Sequence, residues 1–217
     1  MPAKDSDDRW AEYYQKVADR APRDLFRRLM ALVEASAPNA PRGQAIDLGC
    51  GDGTETLALL AAGWRVLAID GSPAAIRLVA ERARPSDASR LQTQLAAFDE
   101  VILPSADLLY AGLSLPFCPP AEFGALWHKI RAALRPGAWL AAHFFGVRDD
   151  WASNPTMSFH TAEALRVLLA GLEIAHWEEV EDDRASAFEA MKHFHYFEVS
   201  ARRRSDSGES RHGGRGH

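Results

Sequence analysis

The sequence predicts an α/β domain, a doubly wound seven-stranded sheet that is mainly parallel with its last strand antiparallel. Three observations predict it. From Gln44 onward short apolar runs alternate with stretches of helical periodicity, the pattern of parallel strands joined by helices. A glycine-rich stretch, AIDLGCGDGTE from Ala45 to Glu55, follows the first of those runs, where an open sheet of this kind places its ligand crevice. The last two apolar runs have no helical stretch between them, so the final strand enters antiparallel.

Ahead of the sheet, Trp10, Tyr13, Tyr14 and Val17 recur at helical spacing, and Leu25, Phe26, Leu29, Met30 and Val33 repeat it after Pro22. AIDLG is then the first strand, and residues 54–62 form a helix that stops at Gly63. WRVLAID is the second strand, ending at Asp70; Ser72 is the N-cap and Pro73 the first-turn proline of the helix that follows. RLQTQL and DLLYAGLSL are the third and fourth strands. A helix over residues 121–134, a turn at Arg135-Pro136-Gly137 and a fifth strand in WLAAHFF come next. Thr161 caps a helix ending near Gly171, and EIAHWEEV and KHFHYFEVSA close the sheet.

Residues 1–40 are expected to supply helices that cover the site, 41–201 the domain itself, and 202–217 a disordered tail. RRRSDSGESRHGGRGH offers no apolar residue to offset its ordering entropy. Deleting Ser205 onward is expected to leave the melting temperature unchanged in a thermal scan; a drop of several degrees would mean that the tail docks.

Composition narrows the partners. The formal charge is -5 and the pI about 5.9, so nothing attracts the chain generally to nucleic acid or to an anionic membrane. The start, MPAKDSDDRW, is too acidic for a secretory signal, and no apolar run approaches the roughly 20 residues of a membrane span. The expectation is a cytoplasmic protein with a small-molecule partner; its oligomeric state is left open. Cys50 and Cys118 have no metal-type spacing and read as free thiols.

The glycine stretch does not read as a phosphate cradle. Counting Gly49 as first, the sixth position of a dinucleotide fingerprint holds Thr54, and the lysine of a P-loop is missing. Asp47, Asp52 and Glu55 put negative charge around the loop, which repels phosphate and favours a cation. Asp70, about 17 residues past Gly53, ends the second strand where a carboxylate can accept both hydroxyls of a ribose. A phosphate-free, cationic nucleoside fits this set, and S-adenosylmethionine is such a molecule.

On these residues the sequence resembles the class I S-adenosylmethionine-dependent methyltransferases, which have a Rossmann-like sheet. AIDLGCGDG matches their glycine motif, VLAIDGS their acidic strand end, and LRPGAWLAAHFF their turn and fifth strand. SLPFCPP, FFGVRDDW and KHFHYFEVSARR are further similar to a small bacterial branch described as tellurite-resistance-type or methyltransferase-domain proteins. The resemblance implies that Asp47, Gly49 and Gly51 face the methionine moiety, Asp70 the ribose, Gly71 and Ser72 the adenosine, and Ala97-Phe98 the adenine, with Cys50 also among the cofactor-binding residues.

Acceptor residues are expected at the carboxyl ends of strands four and five and between the last two strands: Ser114, Phe117, His143, Arg148, Trp151 and His193, with Lys192 beside it. Tyr13 or Tyr14 would act as a lid. His143 is the candidate base and Arg148 the candidate anion-binding cation. His193 and His195 share a strand face, but without supporting ligands at metal spacing no metal is assigned to them and His160. The acceptor is expected to be small and to carry a soft sulfur, selenium or tellurium nucleophile. A natural-product O- or N-methyltransferase and a non-catalytic S-adenosylmethionine-binding protein are the alternatives.

Overall fold

The computed structural model describes Trp10, Tyr13, Tyr14, Lys16 and Val17, residues 20–186 and residues 190–205. Trp10, Tyr13, Tyr14 and Lys16 are helical. Helix α1 (Asp24–Ser36) buries Leu25, Phe26, Leu29 and Val33, the stripe that the spacing predicts. There follow β1 (Gln44–Leu48), α2 (Thr54–Ala61), β2 (Arg65–Asp70), α3 (Pro73–Arg82), β3 (Leu91–Leu95) and β4 (Ala106–Ala111). The second half runs α4 (Pro120–Ala133), β5 (Leu134–Gly146), β6 (Phe159–His160), α5 (Ala162–Leu168), β7 (Leu172–Ala185) and β8 (Met191–Arg203).

The sheet order is β3-β2-β1-β4-β5-β8-β7, with β6 a short addition paired to β5. The first five strands are mutually parallel, and β8 runs antiparallel to both β5 and β7. Strand alternation splits the core between the two faces. Leu25, Phe26, Leu29 and Val33 of α1 and Leu59 and Leu60 of α2 pack on Ala45, Val66, Trp139 and Ala141. Phe123, Leu126, Trp127 and Ile130 of α4 and Leu165 of α5 pack on Ile46, Leu48, Leu140 and Phe144. With both faces covered, the ligand-accessible side is the edge where β1, β2, β4 and β5 end.

Four sequence expectations change. The Arg135-Pro136-Gly137 turn lies inside β5: Ala106 pairs with Leu134 and Leu108 with Trp139, so the extra residues form a bulge with Gly137 at φ +82°. β6 is an eighth strand, too short for its two residues to show periodicity. β7 continues five residues beyond Val180 and carries the sheet over the site. β8 holds Arg202 and Arg203, whose side chains donate to the carbonyls of Gly137 and Leu134, so the chain stays ordered past residue 201; residues 206–217 of the expected tail lie outside the described residues. Thr161 does cap α5, its hydroxyl accepting from Ala164 N–H at 3.2 Å.

Among the described residues no helix is long and apolar enough to cross a membrane.

Candidate active site

The strand ends and the N-terminal aromatic residues enclose a cavity of about 1330 Å³. β1 ends at Leu48 and the chain turns at once, with Gly49, Gly51 and Gly53 all at positive φ, which is what the alternating glycines provide. Gly49 and Cys50 N–H groups donate to Ile69 O at 2.8 and 2.9 Å, tying the turn to β2. A Cβ on Gly49 would collide with Ser114, and one on Gly51 would press on the ring of Tyr14.

Asp70 stands at the centre of this turn. Its Oδ2 accepts from Gly51 N–H and its Oδ1 from Ser72 N–H, both at 2.9 Å, while the Tyr14 hydroxyl lies 3.5 Å from Oδ1. Burial pushes the Asp70 carboxyl above its ordinary range, against the lowering effect of those N–H groups. Burial also pushes the Tyr14 hydroxyl far up, with Asp70 adding to it, so Tyr14 is neutral and able to donate. Asp47 is buried beneath the turn; desolvation raises its carboxyl to about 7, partly countered by Thr56 Oγ1, which donates to Oδ2 at 2.6 Å. Burial raises the Cys50 thiol as well.

The loop is less negative than its sequence reads, because a guanidinium pairs two of the carboxylates expected to repel phosphate. Arg20 donates to both oxygens of Glu55 at 2.6 Å and to Asp52 Oδ1 at 3.1 Å. Arg23 N–H adds a third bond to Glu55 at 3.0 Å, and Arg82 donates to Asp52 O at 2.5 Å. Burial alone would raise the Glu55 carboxyl, but the Arg20 hydrogen bonds and charge hold it below its ordinary range. Among the described residues, Asp47 and Asp70 are thus the carboxylates of the turn without a guanidinium hydrogen bond. Arg20 was not legible in advance: it lies 35 residues upstream of Glu55, between two helices and in no motif.

Ser72 and Tyr110 are among the lining residues, and each has a buried hydroxyl without a hydrogen-bond partner among the described residues. Ser72 is the N-cap residue of α3 by position, but its side chain makes no capping bond. Gly71, Ala97 and Phe98 line the same end.

The far end is aromatic. Phe117, Phe145 and Trp151 line it, joined by Phe194 and Tyr196 of β8 and by Arg184 of β7. Trp10 meets Phe117 edge to face at 4.9 Å, and Tyr13 and Tyr14 complete the covering segment. Phe194, Tyr196 and Arg184 were missed because β7 and β8 reach further over the site than their apolar runs indicate. Arg184 stacks on Phe194 at 4.3 Å and pairs with Asp182.

Several expected acceptor residues lie elsewhere. His143 is 3 % exposed and does not reach the cavity: its Nδ1 accepts from Leu113 N–H at 3.3 Å and its Nε2 faces Glu198 at 3.1 Å, so both nitrogens are occupied. Burial lowers its pKa although Glu198 opposes this. Arg148 points outward into ion pairs with Glu179 and Glu181 at 2.8 and 2.7 Å, because the chain turns after Gly146 and reverses its side-chain direction. His193 pairs with Asp183 and Glu181 at the surface. Lys192 is buried in a bond to Asp149 at 2.5 Å. Ser114 does line the cavity, but its hydroxyl donates to Leu48 O at 2.5 Å and braces the glycine turn. His160 packs against Phe123 and Phe144, away from His193 and His195.

A doubly wound sheet in this order, with a glycine turn after β1 and a carboxylate ending β2, is the fold of class I S-adenosylmethionine-dependent methyltransferases. Residues 45–137 match the sequence family described as "Methyltransferase domain". Trans-aconitate 2-methyltransferase of Paracidovorax citrulli is 35% identical over 132 residues, covering 60% of this chain and 49% of that protein. The chain spans about half the length of the curated relatives it matches. Among solved structures, TehB from Haemophilus influenzae superposes with a TM-score of 0.65 at 16% identity, over 81% of this chain and 62% of TehB. N-methyltransferase NodS from Bradyrhizobium japonicum, in complex with S-adenosylhomocysteine, gives 0.60 at 19% identity, over 89% and 97% of the two chains.

Proposed function

We propose that this chain binds S-adenosylmethionine in the cavity and methylates a small acceptor held against its aromatic end. The observation that carries this is the meeting of two chemically different ends in one space. Asp47, Asp70 and the glycine turn offer carboxylates and backbone to a cationic nucleoside, and Phe117, Phe145, Trp151, Phe194 and Tyr196 offer an aromatic wall to the acceptor. The volume exceeds the ~300–1,000 Å³ of a pocket for one drug-sized ligand, which leaves room for an acceptor.

In this reading Asp70 accepts the ribose hydroxyls, Asp47 faces the methionine ammonium, and Gly71, Ser72 and Phe98 surround the adenosine. The bound cofactor supplies an electrophilic sulfonium methyl for in-line displacement. The chain supplies alignment and exclusion of water through Trp10, Tyr13, Tyr14, Phe117, Phe145 and Trp151. None of the described lining residues is a histidine, so acceptors that need no proton removed are favoured: a soft sulfur, selenium or tellurium nucleophile, or a nitrogen lone pair. An ionised carboxylate meets the same criterion, and Arg184 in the lining favours this second reading, as does the relative whose name specifies trans-aconitate.

Turnover of methyl-labelled S-adenosylmethionine with thiols, chalcogen oxyanions, amines, carboxylates and aliphatic alcohols tests the proposal. Transfer to one of the first four classes is expected. Transfer to alcohols alone would overturn the acceptor reading, and tight binding without any transfer would make the protein a non-catalytic binder.

Asp47 adds a pH dependence. With its carboxyl near 7 in the free protein, pairing with a cation requires proton release. Cofactor affinity is therefore expected to rise with pH through about 7. Calorimetry in buffers of different ionisation enthalpy checks this; identical heats would remove Asp47 from the contact.

A further inference from the structure

On the sheet face under α1, away from the cavity, His176, Glu178 and Glu198 stand together on adjacent strands. Glu178 pairs directly across from Glu198, and His176 lies two residues further along β7 on the same face. Two carboxylates directly opposite each other repel, and a cation between them would relieve that repulsion. The protein groups supply little of it. His143 Nε2 meets Glu198 Oε1 at 3.1 Å, donating as a neutral ring because its Nδ1 is an acceptor. Arg28 reaches Glu178 Oε2 at 3.3 Å with both side chains nearly half exposed, a geometry that contributes little.

His176 supplies the nitrogen donor of the group. Its Nε2 atom is buried without a hydrogen-bond partner among the described residues and lies 3.5 Å from Glu178 Oε2. One donor atom from each of the three residues lies within 4.8 Å of the others, a separation that a four-coordinate ion at about 2.0–2.2 Å from each can bridge after small side-chain adjustments.

We propose that His176, Glu178 and Glu198 form a divalent transition-metal site, with His143 as the outer hydrogen-bond partner that orients Glu198. The nitrogen and carboxylate donors suit zinc or a neighbouring first-row ion. The His143–Glu198 bond is the kind of outer contact that fixes a ligating carboxylate. None of the three ligands lines the cavity, so the ion would fasten β7, β8 and β5 together and take no part in methyl transfer.

The test is calorimetric titration of chelator-treated, full-length protein with zinc chloride, and with cobalt chloride for its visible spectrum. The expected result is one ion bound at this site, with His176→Ala and Glu198→Gln each weakening it at least about tenfold. Glu178→Gln, at an exposed position, gives the same loss if Glu198→Gln does not fold. Arg28→Gln removes a competing cation and is expected to leave binding equal or tighter. Surface His193 and the tail residues His212 and His217 can also take up zinc, so binding that survives both His176→Ala and Glu178→Gln belongs to them and overturns the proposal. Absence of binding overturns it equally.

Discussion

Asp70→Ala is expected to weaken S-adenosylhomocysteine binding about 10- to 150-fold, the loss of ~1.5–3 kcal/mol that accompanies removal of a charge-assisted hydrogen bond. The carboxylate also organises the turn around it: Gly51 N–H, Ser72 N–H and the Tyr14 hydroxyl all converge on it. Alanine leaves those buried donors without their acceptor, so the apo protein should melt at a lower temperature as well. Asp70→Asn separates the two effects. It keeps the shape and one acceptor oxygen, so it should retain more stability than Asp70→Ala while still losing affinity. Calorimetric affinity unchanged in both variants would show that the ribose does not lie on Asp70.

Arg20→Met is expected to give the largest loss of stability, about 3–5 kcal/mol and toward the lower end because the side chain is 20% exposed. The cause is the pair of carboxylates it leaves behind, Asp52 and Glu55, whose side chains are 3% and 5% exposed. pH provides the check. In the native protein the Glu55 carboxyl is held below its ordinary range, so its pairing contributes stability above about 4.3 that is lost as pH falls through the lower native value. Without Arg20, burial raises the same carboxyl, and protonation then relieves the variant. The deficit against the parent protein, measured by urea unfolding, should be greatest near neutral pH and shrink toward pH 4. A deficit independent of pH would mean that Arg20 acts through packing alone.

The parallel part of the fold was legible because local signals agreed with one another: glycine at 49, 51 and 53, the Ser72-Pro73 helix start and the buried stripe of α1 each fit the same sheet. So was the placement of Asp47 and Asp70 beside the glycine turn, since they lie in the last two residues of β1 and β2, which a periodic pattern locates. The acceptor end was less legible. Arg148 and Trp151 lie in the irregular turn after β5, where no periodicity assigns a side-chain direction; Trp151 lines the cavity and Arg148 faces solvent. His143 shares its strand with cavity-lining Phe145, yet its partners, Glu198 and Leu113, come from elements remote in sequence. Arg184 stood in a polar run, EDDRAS, that carries no strand periodicity, and its position came only from pairing with β8. The buried Lys192–Asp149 bond likewise joins residues 43 apart, between the turn after β5 and the start of β8.

Calorimetric titration of the unmodified chain with S-adenosylhomocysteine, alongside NAD as the competing phosphate-bearing nucleotide, tests the central claim most directly. One-site binding of S-adenosylhomocysteine in the micromolar range is expected and none of NAD, because Asp47 and Asp70 face the cavity at the glycine turn and Arg20, which lines that end, is already taken up by Asp52 and Glu55. Tight NAD binding with no heat from S-adenosylhomocysteine would contradict it.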